Sequence, residues 1–468
     1  MLRFFRINDP FRLLIIAIVL IAVRMPFLLG GHSLTHDELQ WFVIGDQMSQ
    51  GKLLYGEIFS HIGPFSAGVY WFFSSLTGKS VFLPRLFAIL LTLFQATFFN
   101  NILNRFKIYD EHNYLPAFIY IFGGLAFFDL GVLSPQLMGM TFILLMLHLC
   151  IEHVTSRQRN DEIVIRMGIT MGIACLFWPI YFFLTFGIFL MMVMFSSTIV
   201  RRYAVIMYGL LLPIGIVAVY YYWHDAGENF FHFFVAANLR DLTPHLSNFL
   251  EWFKLLPFFG VLAALSLLGQ FRALTHWHFN NRQTLVTIMI TSLLVVSTIV
   301  TFLYSPKQPY IFLILIPWLS FYVPFFLLKV NKKWFAELIM FTFVVSSILI
   351  HFGIPKGILP DLERESVDYV LKADTQNVYS GKTVWVMGND MTPYLGATAV
   401  MPYVRWKDLE YDLNKPTVMA QQRLLLGFGQ QPPQVIIDQK NAMPKLLAQL
   451  PYLRNQYHAT ANQIWIKN

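Results

Sequence analysis

The stretch Gly31–Gly78, GHSLTHDELQWFVIGDQMSQGKLLYGEIFSHIGPFSAGVYWFFSSLTG, is polar and broken, and it stands between two long apolar runs. The run before it, near residues 11–30, and the run after it, near 82–104, are each long enough to cross the hydrocarbon core of a bilayer. Asp37 and Glu38 sit side by side shortly after the first run ends. Carboxylates so close to a membrane are costly unless they face water, a partner charge or a ligand. A loop needs no Asp-Glu pair in order to turn, so the pair marks a candidate catalytic acid at a membrane surface.

The rest of the chain agrees with a membrane protein. Its 468 residues are 56% hydrophobic and only 13% charged, with a mean hydropathy of +0.55. A soluble protein of this length could not hide so much apolar surface. Further apolar runs fall near 114–131, 135–153, 163–179, 181–200, 203–223, 252–271, 283–304, 308–328 and 334–353. The expectation is a mainly α, polytopic membrane protein of about 11 transmembrane helices, with Trp178-Pro179 marking a tight turn inside 163–200. The first run is too long for a cleaved signal and no small-x-small site follows it, so it reads as a retained anchor.

Charge sets the expected orientation. With the N-terminus in the cytoplasm, the inner segments collect Arg3, Arg6, Arg12, Arg105, Lys107, Arg201, Arg202, Arg272, Lys332 and Lys333. The opposite loops hold Lys52, Lys79, Arg240 and Lys307. This is the positive-inside pattern of a multi-pass protein of the plasma (inner) membrane, and it accounts for the net charge of +8 without nucleic acid. Cys150 and Cys175 both fall inside spans and form no disulfide or zinc framework. His148, Glu152 and His153 border a basic inner loop, where a solvated helix end explains them.

Two domains are expected. Residues 1–354 form the membrane domain, with residues 31–81 as its first outer loop. From about Pro355 the apolar runs shorten to strand length, as in TVWVMG, QVIIDQ and NQIWIKN, separated by polar helical stretches such as LERESVDYVLKA. Residues 355–468 therefore read as a small extracytoplasmic α/β domain. Within the first outer loop, Leu39, Trp41, Phe42 and Ile44 suit a short interfacial helix anchored by Trp41, and HIGPFSAGVYWFFSSLTG suits a second. The later loop near 224–251 is rich in Phe and reads either as a helix lying on the membrane or as a plain connector. Asp225, Glu228, Arg240 and Asp241 there are secondary candidates.

An Arg in the first span (Arg24), Asp37-Glu38 after a short outer segment, the run Gly51-Lys52-Leu53-Leu54-Tyr55-Gly56, His61-Ile62-Gly63-Pro64 and Leu83-Pro84-Arg85 together resemble the GT-C superfamily of membrane glycosyltransferases. The chain is most similar to the polyprenyl- or dolichyl-phosphate-mannose-protein mannosyltransferase and aminoarabinose transferase group. The resemblance implies transfer of a sugar from a polyprenyl-phosphate-linked donor, with inversion at the anomeric centre. The acceptor is a glycan, lipid or protein at the outer face, and membrane lipid is the other partner. It implies Asp37, Glu38 and Asp129 as catalytic residues, and Arg24, Lys52, Tyr55, His61, Arg85, Lys307 and Tyr310 as substrate-binding residues. No metal ligand is assigned and no cofactor is certain, with a divalent metal left open. Gln136 departs from the pattern, because relatives often carry Glu near the start of the fourth span and an amide does not ionise. Arg24 also reads as a side chain snorkelling to the headgroups, and Lys307 as a plain interfacial lysine. Two other classes remain: a GT-C-like binder of lipid-linked glycans without chemistry, and a transporter, for which no internal repeat is visible.

Overall fold

The structure is a computed structural model that describes all residues except 1, 8, 10, 30–33, 79, 126–130, 156–160, 196–199, 243–245, 277–278, 305–308, 331, 354–378 and 461–462. The helices begin with α1 (Leu2–Phe5), α2 (Phe11–Leu29), α3 (His36–Ser49), α4 (Pro64–Thr77) and α5 (Phe82–Arg105). There follow α6 (Leu115–Leu125), α7 (Pro135–Thr155), α8 (Asp161–Phe177), α9 (Phe182–Phe195) and α10 (Val200–Trp223). Then come α11 (Gly227–Phe230), α12 (Asn238–Arg240), α13 (Leu246–His276), α14 (Asn281–Leu303), α15 (Ile316–Leu328) and α16 (Lys333–Gly353). The remainder alternates: β1 (Thr383–Met387), β2 (Thr398–Ala399), α17 (Trp406–Asn414), α18 (Val418–Gln430), β3 (Val435–Asp438), α19 (Met443–Gln449), β4 (Tyr457–Thr460) and β5 (Ile464–Lys467).

Each apolar run of the sequence is helical where it is described. Among the described residues, seven helices are long and apolar enough to cross a membrane. The Trp178-Pro179 turn is present as a short 3-10 segment, Pro179–Tyr181, between α8 and α9. Proline lacks the N–H that a continuous helix would need there.

Compactness divides the chain into two units. The helical unit comprises Met1–Gly31, Pro84–Ile216 and Leu239–Glu365, and the sheet unit comprises His32–Leu83, Val217–Asn238 and Ser366–Asn468.

In the helical unit, burial sorts central from peripheral helices. The span Tyr310–Leu328 is 94% buried and Val200–Trp223 only 22%. On α2 the buried residues Arg12, Ile16, Leu20 and Arg24 recur every four positions, one stripe of a helix. Phe11, Leu14, Ile18 and Met25 on the other face are exposed. Helices α13 and α15 touch backbone to backbone: a Cβ on Gly269 would lie 2.0 Å from the carbonyl oxygen of Tyr322. Buried polar contacts also tie helices together. Tyr120 donates to Gln95 Oε1 at 2.9 Å, and Gln95 Nε2 donates to the Leu137 carbonyl at 2.6 Å, which joins α5, α6 and α7.

The sheet unit is built on five strands in the order β2-β1-β3-β5-β4. β2, β1 and β3 run parallel, while β5 pairs antiparallel with both β3 and β4. Trp385 of β1 is buried edge-on against Phe428 of α18. Asp438 at the end of β3 accepts the Ala442 and Met443 N–H groups, both at 2.8 Å, which anchors the start of α19.

The polar stretch of the sequence belongs to this unit. Helices α3 and α4 pack so closely that a Cβ on Gly45 would meet the Tyr70 backbone at 2.7 Å. Trp41 is buried beside Tyr70, with ring centroids 5.8 Å apart. It is therefore a core residue and not the interfacial anchor expected from its amphipathic setting. Helix α4 does keep an apolar outer face, with Phe65, Trp71, Phe72 and Leu76 exposed. The Phe-rich loop is π-helical over Phe231–Ala237, and it buries Phe233 and Phe234.

Candidate active site

Helix α3 carries the two leading carboxylates in its first turn. Thr35 caps it, its hydroxyl accepting from the Glu38 N–H at 3.1 Å. A helix start favours anions there, because its N–H dipoles leave a partial positive charge. Glu38 is 1% exposed, whereas Asp37 keeps intermediate access.

Both ends of α3 are fixed to the C-terminal segment. His36 Nδ1 accepts from the Met391 N–H at 3.2 Å. Three turns on, Gln47 Nε2 donates to the Ala399 carbonyl at 2.9 Å. Asp37 thus stands on a helix held at two points, the kind of support that keeps a reactive group in one geometry.

The loop after α3 turns back on the same segment. The Lys52 ammonium donates to the Val400 carbonyl at 3.0 Å. Partial burial lowers its pKa from the usual lysine value, opposed by the nearby Glu57 carboxylate. Tyr55 lies in the left-handed region with φ 64°, costly for a residue that carries a Cβ. It is fully buried between Tyr221 and Phe230, and its hydroxyl donates to the Ile62 carbonyl at 2.5 Å. Burial pushes that hydroxyl well above the ordinary tyrosine pKa, so it acts as a fixed donor. Phe59 donates its N–H to the Pro402 carbonyl at 2.7 Å and stacks on Phe233.

Two buried carboxylates of α17 complete the polar framework. Asp408 is paired with Arg405 at 2.7 Å, and His61 Nδ1 stands 4.0 Å from it. Asp412 pairs with Arg423 at 2.8 Å, accepts from the Tyr403 hydroxyl at 2.6 Å and has His232 Nε2 at 3.7 Å. Burial works against ionisation of Asp412, but the His232, Arg423 and Tyr403 contacts outweigh it and hold its pKa below the usual carboxylate range. Arg423 also donates to Asn229 Oδ1 at 3.1 Å, so one guanidinium joins α11, α17 and α18.

The helical unit holds the other candidates. Arg24 is buried on α2 and lines a narrow cavity with Thr92, Tyr120, Leu20, Ile89 and Leu313. A Cβ on Gly131 would come within 2.3 Å of Arg24 Nη1, so only glycine leaves that guanidinium its place. Arg85 donates to the Phe27 carbonyl at 3.4 Å, and Tyr310 is buried. Gln136 is buried at the start of α7, its carbonyl accepting from the Tyr181 hydroxyl at 2.6 Å. Asp129 and Lys307 lie outside the described residues. Among the described residues no group of three His, Cys, Asp or Glu side chains is arranged to hold a metal ion.

No protein-family model matches the sequence, and no curated protein matches it either. Solved structures do. ArnT from Cupriavidus metallidurans bound to undecaprenyl phosphate superposes with a TM-score of 0.59 at 12% identity, covering 98% of each chain. The same protein in the apo state gives a TM-score of 0.57 at 12% identity, over 96% of this chain and 97% of that one. ArnT is an aminoarabinose transferase of the GT-C class. This chain has the GT-C fold.

Within the GT-C fold the candidates from the sequence divide between the units. Asp37, Glu38, Lys52, Tyr55 and His61 lie in the sheet unit, and Arg24, Arg85 and Tyr310 in the helical unit. The buried Asp408 and Asp412 pairs went unread in the sequence. Their only local signal is an i, i+4 spacing of acids, which is equally the mark of a solvated helix face.

Proposed function

We propose that this chain is a glycosyltransferase that moves a sugar from a polyprenyl-phosphate-linked donor to an acceptor at the outer face of the membrane. Support comes from the likeness to ArnT along nearly the whole chain, joined to Asp37 at the capped start of α3 directly after the first candidate span. The ArnT structure bound to undecaprenyl phosphate supports the class of lipid carrier.

In this reading the acceptor oxygen or nitrogen attacks the anomeric carbon. A new bond to that carbon forms as its bond to the phosphate oxygen breaks, and the electron pair stays on the departing lipid phosphate. Asp37 takes the acceptor's proton, the task of a general base. Glu38 shares or orients that work, and Asp129 of the second outer loop is the third carboxylate assigned to catalysis. Arg24, Arg85, Lys307 and Tyr310 bind the phosphate and stabilise its charge as it leaves. Lys52 and His61 border the substrate, while Tyr55 holds the loop in shape. The N-terminus and the basic loops lie in the cytoplasm, and the C-terminal domain, residues 355–468, lies outside it.

The acceptor is an outer-face glycan, lipid or protein. Mass spectrometry of lipid-linked glycans and surface glycoconjugates, with and without this chain in the cell, tests the proposal. A sugar mass should be missing from the surface glycoconjugates, and the matching lipid-linked donor should accumulate. Identical profiles, with the protein present at normal abundance in the control, would overturn it. Gln136, in place of an ionisable residue, favours a second reading as a binder of lipid-linked glycans, in which donor binding persists without turnover.

A further inference from the structure

The sheet has a topological feature that the transfer reaction, as described, does not use. β1 and β3 are parallel neighbours, yet the chain leaves β1 for β2 on one side and leaves β3 for β4 and β5 on the other. Where two adjacent parallel strands send their chains in opposite directions, the loops at their carboxyl ends part, and α/β sheets bind ligands there. In this sheet those loops are residues 388–391 and 439–442.

The two loops brace one another. The Gln439 amide spans them, accepting from the Asp390 N–H at 3.1 Å and donating to the Asp390 carbonyl at 3.0 Å. A Cβ on Gly388 would collide with that amide, so the position beneath it requires glycine. Asn441 Oδ1 accepts from Gln463 Nε2 at 2.9 Å. Loops fixed in advance lose little freedom when a ligand arrives. The side chains of Asn389, Asp390, Lys440 and Asn441 are exposed around the bridge, so a ligand has direct access to them.

The first loop also touches the helix that carries Asp37. The Met391 N–H donates to His36 Nδ1 at 3.2 Å, so Asp390 and Asp37 each stand one residue from the same hydrogen bond. Both belong to the sheet unit. The chemistry of the loops narrows the ligand. Side-chain amides donate and accept at once, as sugar hydroxyls do. Asp390 and Lys440 balance in charge, which favours neither an anion nor a cation. Gly388-Asn389-Asp390 lacks the glycine spacing and the lysine of a phosphate-binding loop. The apolar side chains of the two loops, Met391 and Ala442, are buried and offer nothing to a lipid tail.

We propose that the carboxyl ends of β1 and β3 bind the acceptor, and that the acceptor is a neutral glycan. This rests on the transferase reading and names its acceptor. The glycan lies across Asn389, Asp390, Gln439, Lys440 and Asn441, which presents one of its hydroxyls toward Asp37.

Saturation-transfer NMR of the full chain in nanodiscs tests the site without turnover. The probes are maltotetraose, cellotetraose, chitotetraose and mannotetraose, with a Ser/Thr-rich peptide at equal concentration. At least one tetraose should bind the wild-type protein. Asn389→Trp adds bulk at an exposed loop tip and should weaken that binding about tenfold, the loss of one polar contact and of access to its neighbours. Gln422→Trp, the same change at an exposed position of α18, should leave it unaltered. No tetraose signal on the wild-type protein overturns the proposal, and so does undiminished binding in Asn389→Trp. Peptide binding that Asn389→Trp abolishes, with no tetraose bound, would reassign the site to a protein acceptor and overturn the glycan proposal. Failure of the transferase reading shows instead in unchanged surface glycoconjugates when the chain is removed from the cell, so the two failures are told apart.

Discussion

Replacing Arg423 by methionine tests whether the sheet unit is held together by its buried ion pair. The guanidinium makes two bonds to Asp412 Oδ2, from Nε at 2.9 Å and Nη2 at 2.8 Å, and one to Asn229 Oδ1 at 3.1 Å. Its side chain is 5% exposed and that of Asp412 is 2% exposed, so solvent screens neither. Removing one partner of such a pair leaves a buried charge, typically a loss of about 3–5 kcal/mol. Tyr403 and His232 still face Asp412, and methionine refills the space beside Phe233, so the expected loss is near 3 kcal/mol. The double variant Arg423→Met/Asp412→Leu removes the stranded carboxylate as well and should recover most of that loss. Comparison of the single and double variants isolates the coupling between the two side chains.

Hydrogen exchange in detergent, followed at β1 and at the loop 50–62, reads the effect locally. The sign of the pH dependence follows from Asp412. Its folded pKa lies below the unfolded one, so its stabilisation is present above the ordinary carboxylate pKa and is lost as pH falls through the folded value. Without Arg423 the Asp412 pKa should rise, and the acid loss should begin at higher pH than in the wild type. Exchange within about 0.5 kcal/mol of wild type at neutral pH, the range of an inert surface change, would refute the reasoning.

Asp37→Asn should lower transfer by about two to four orders of magnitude with little change in stability, because the amide keeps the shape and loses the basicity. Turnover and donor binding measured separately at equal protein abundance check this, and a wild-type rate would remove Asp37 from catalysis. Gly172→Leu should sharply cut the yield of folded protein, since even its Cβ would lie 2.4 Å from the Leu210 carbonyl oxygen and 2.4 Å from Pro213. Gly215→Ala, with nothing within 4 Å, should be tolerated, and size-exclusion profiles of the two variants make the comparison. A reporter active only in the cytoplasm, fused after Asn468, should be silent, and activity there would reverse the proposed orientation.

Composition and periodicity determined much of this protein before any contact was known. Long apolar runs have only one stable home, and they give helices wherever they are described, because in lipid every backbone group must be satisfied within its own segment. The start of α3 is local too, since the Thr35 hydroxyl caps it through the Glu38 N–H within one helical turn. The short strands near the C-terminus were readable for the same reason, as alternation is a property of neighbours in sequence.

Tertiary structure alone decided the partners. Trp41 reads as a membrane anchor from its amphipathic setting, yet it is buried beside Tyr70, because a burial pattern does not say whether lipid or protein covers the face. The resemblance assigns Lys52 to substrate binding, and only the fold shows its ammonium donating to the carbonyl of Val400, far away in the chain. The loop near 224–251 reads as a helix lying on the membrane or as a plain connector, but Phe233 stacks on Phe59 and Asn229 bonds to Arg423. Such contacts join segments hundreds of residues apart, and no local propensity encodes them. They form because buried charges and aromatic faces must find partners once the chain is compact, and which partners they find is settled only by the packing of the whole unit.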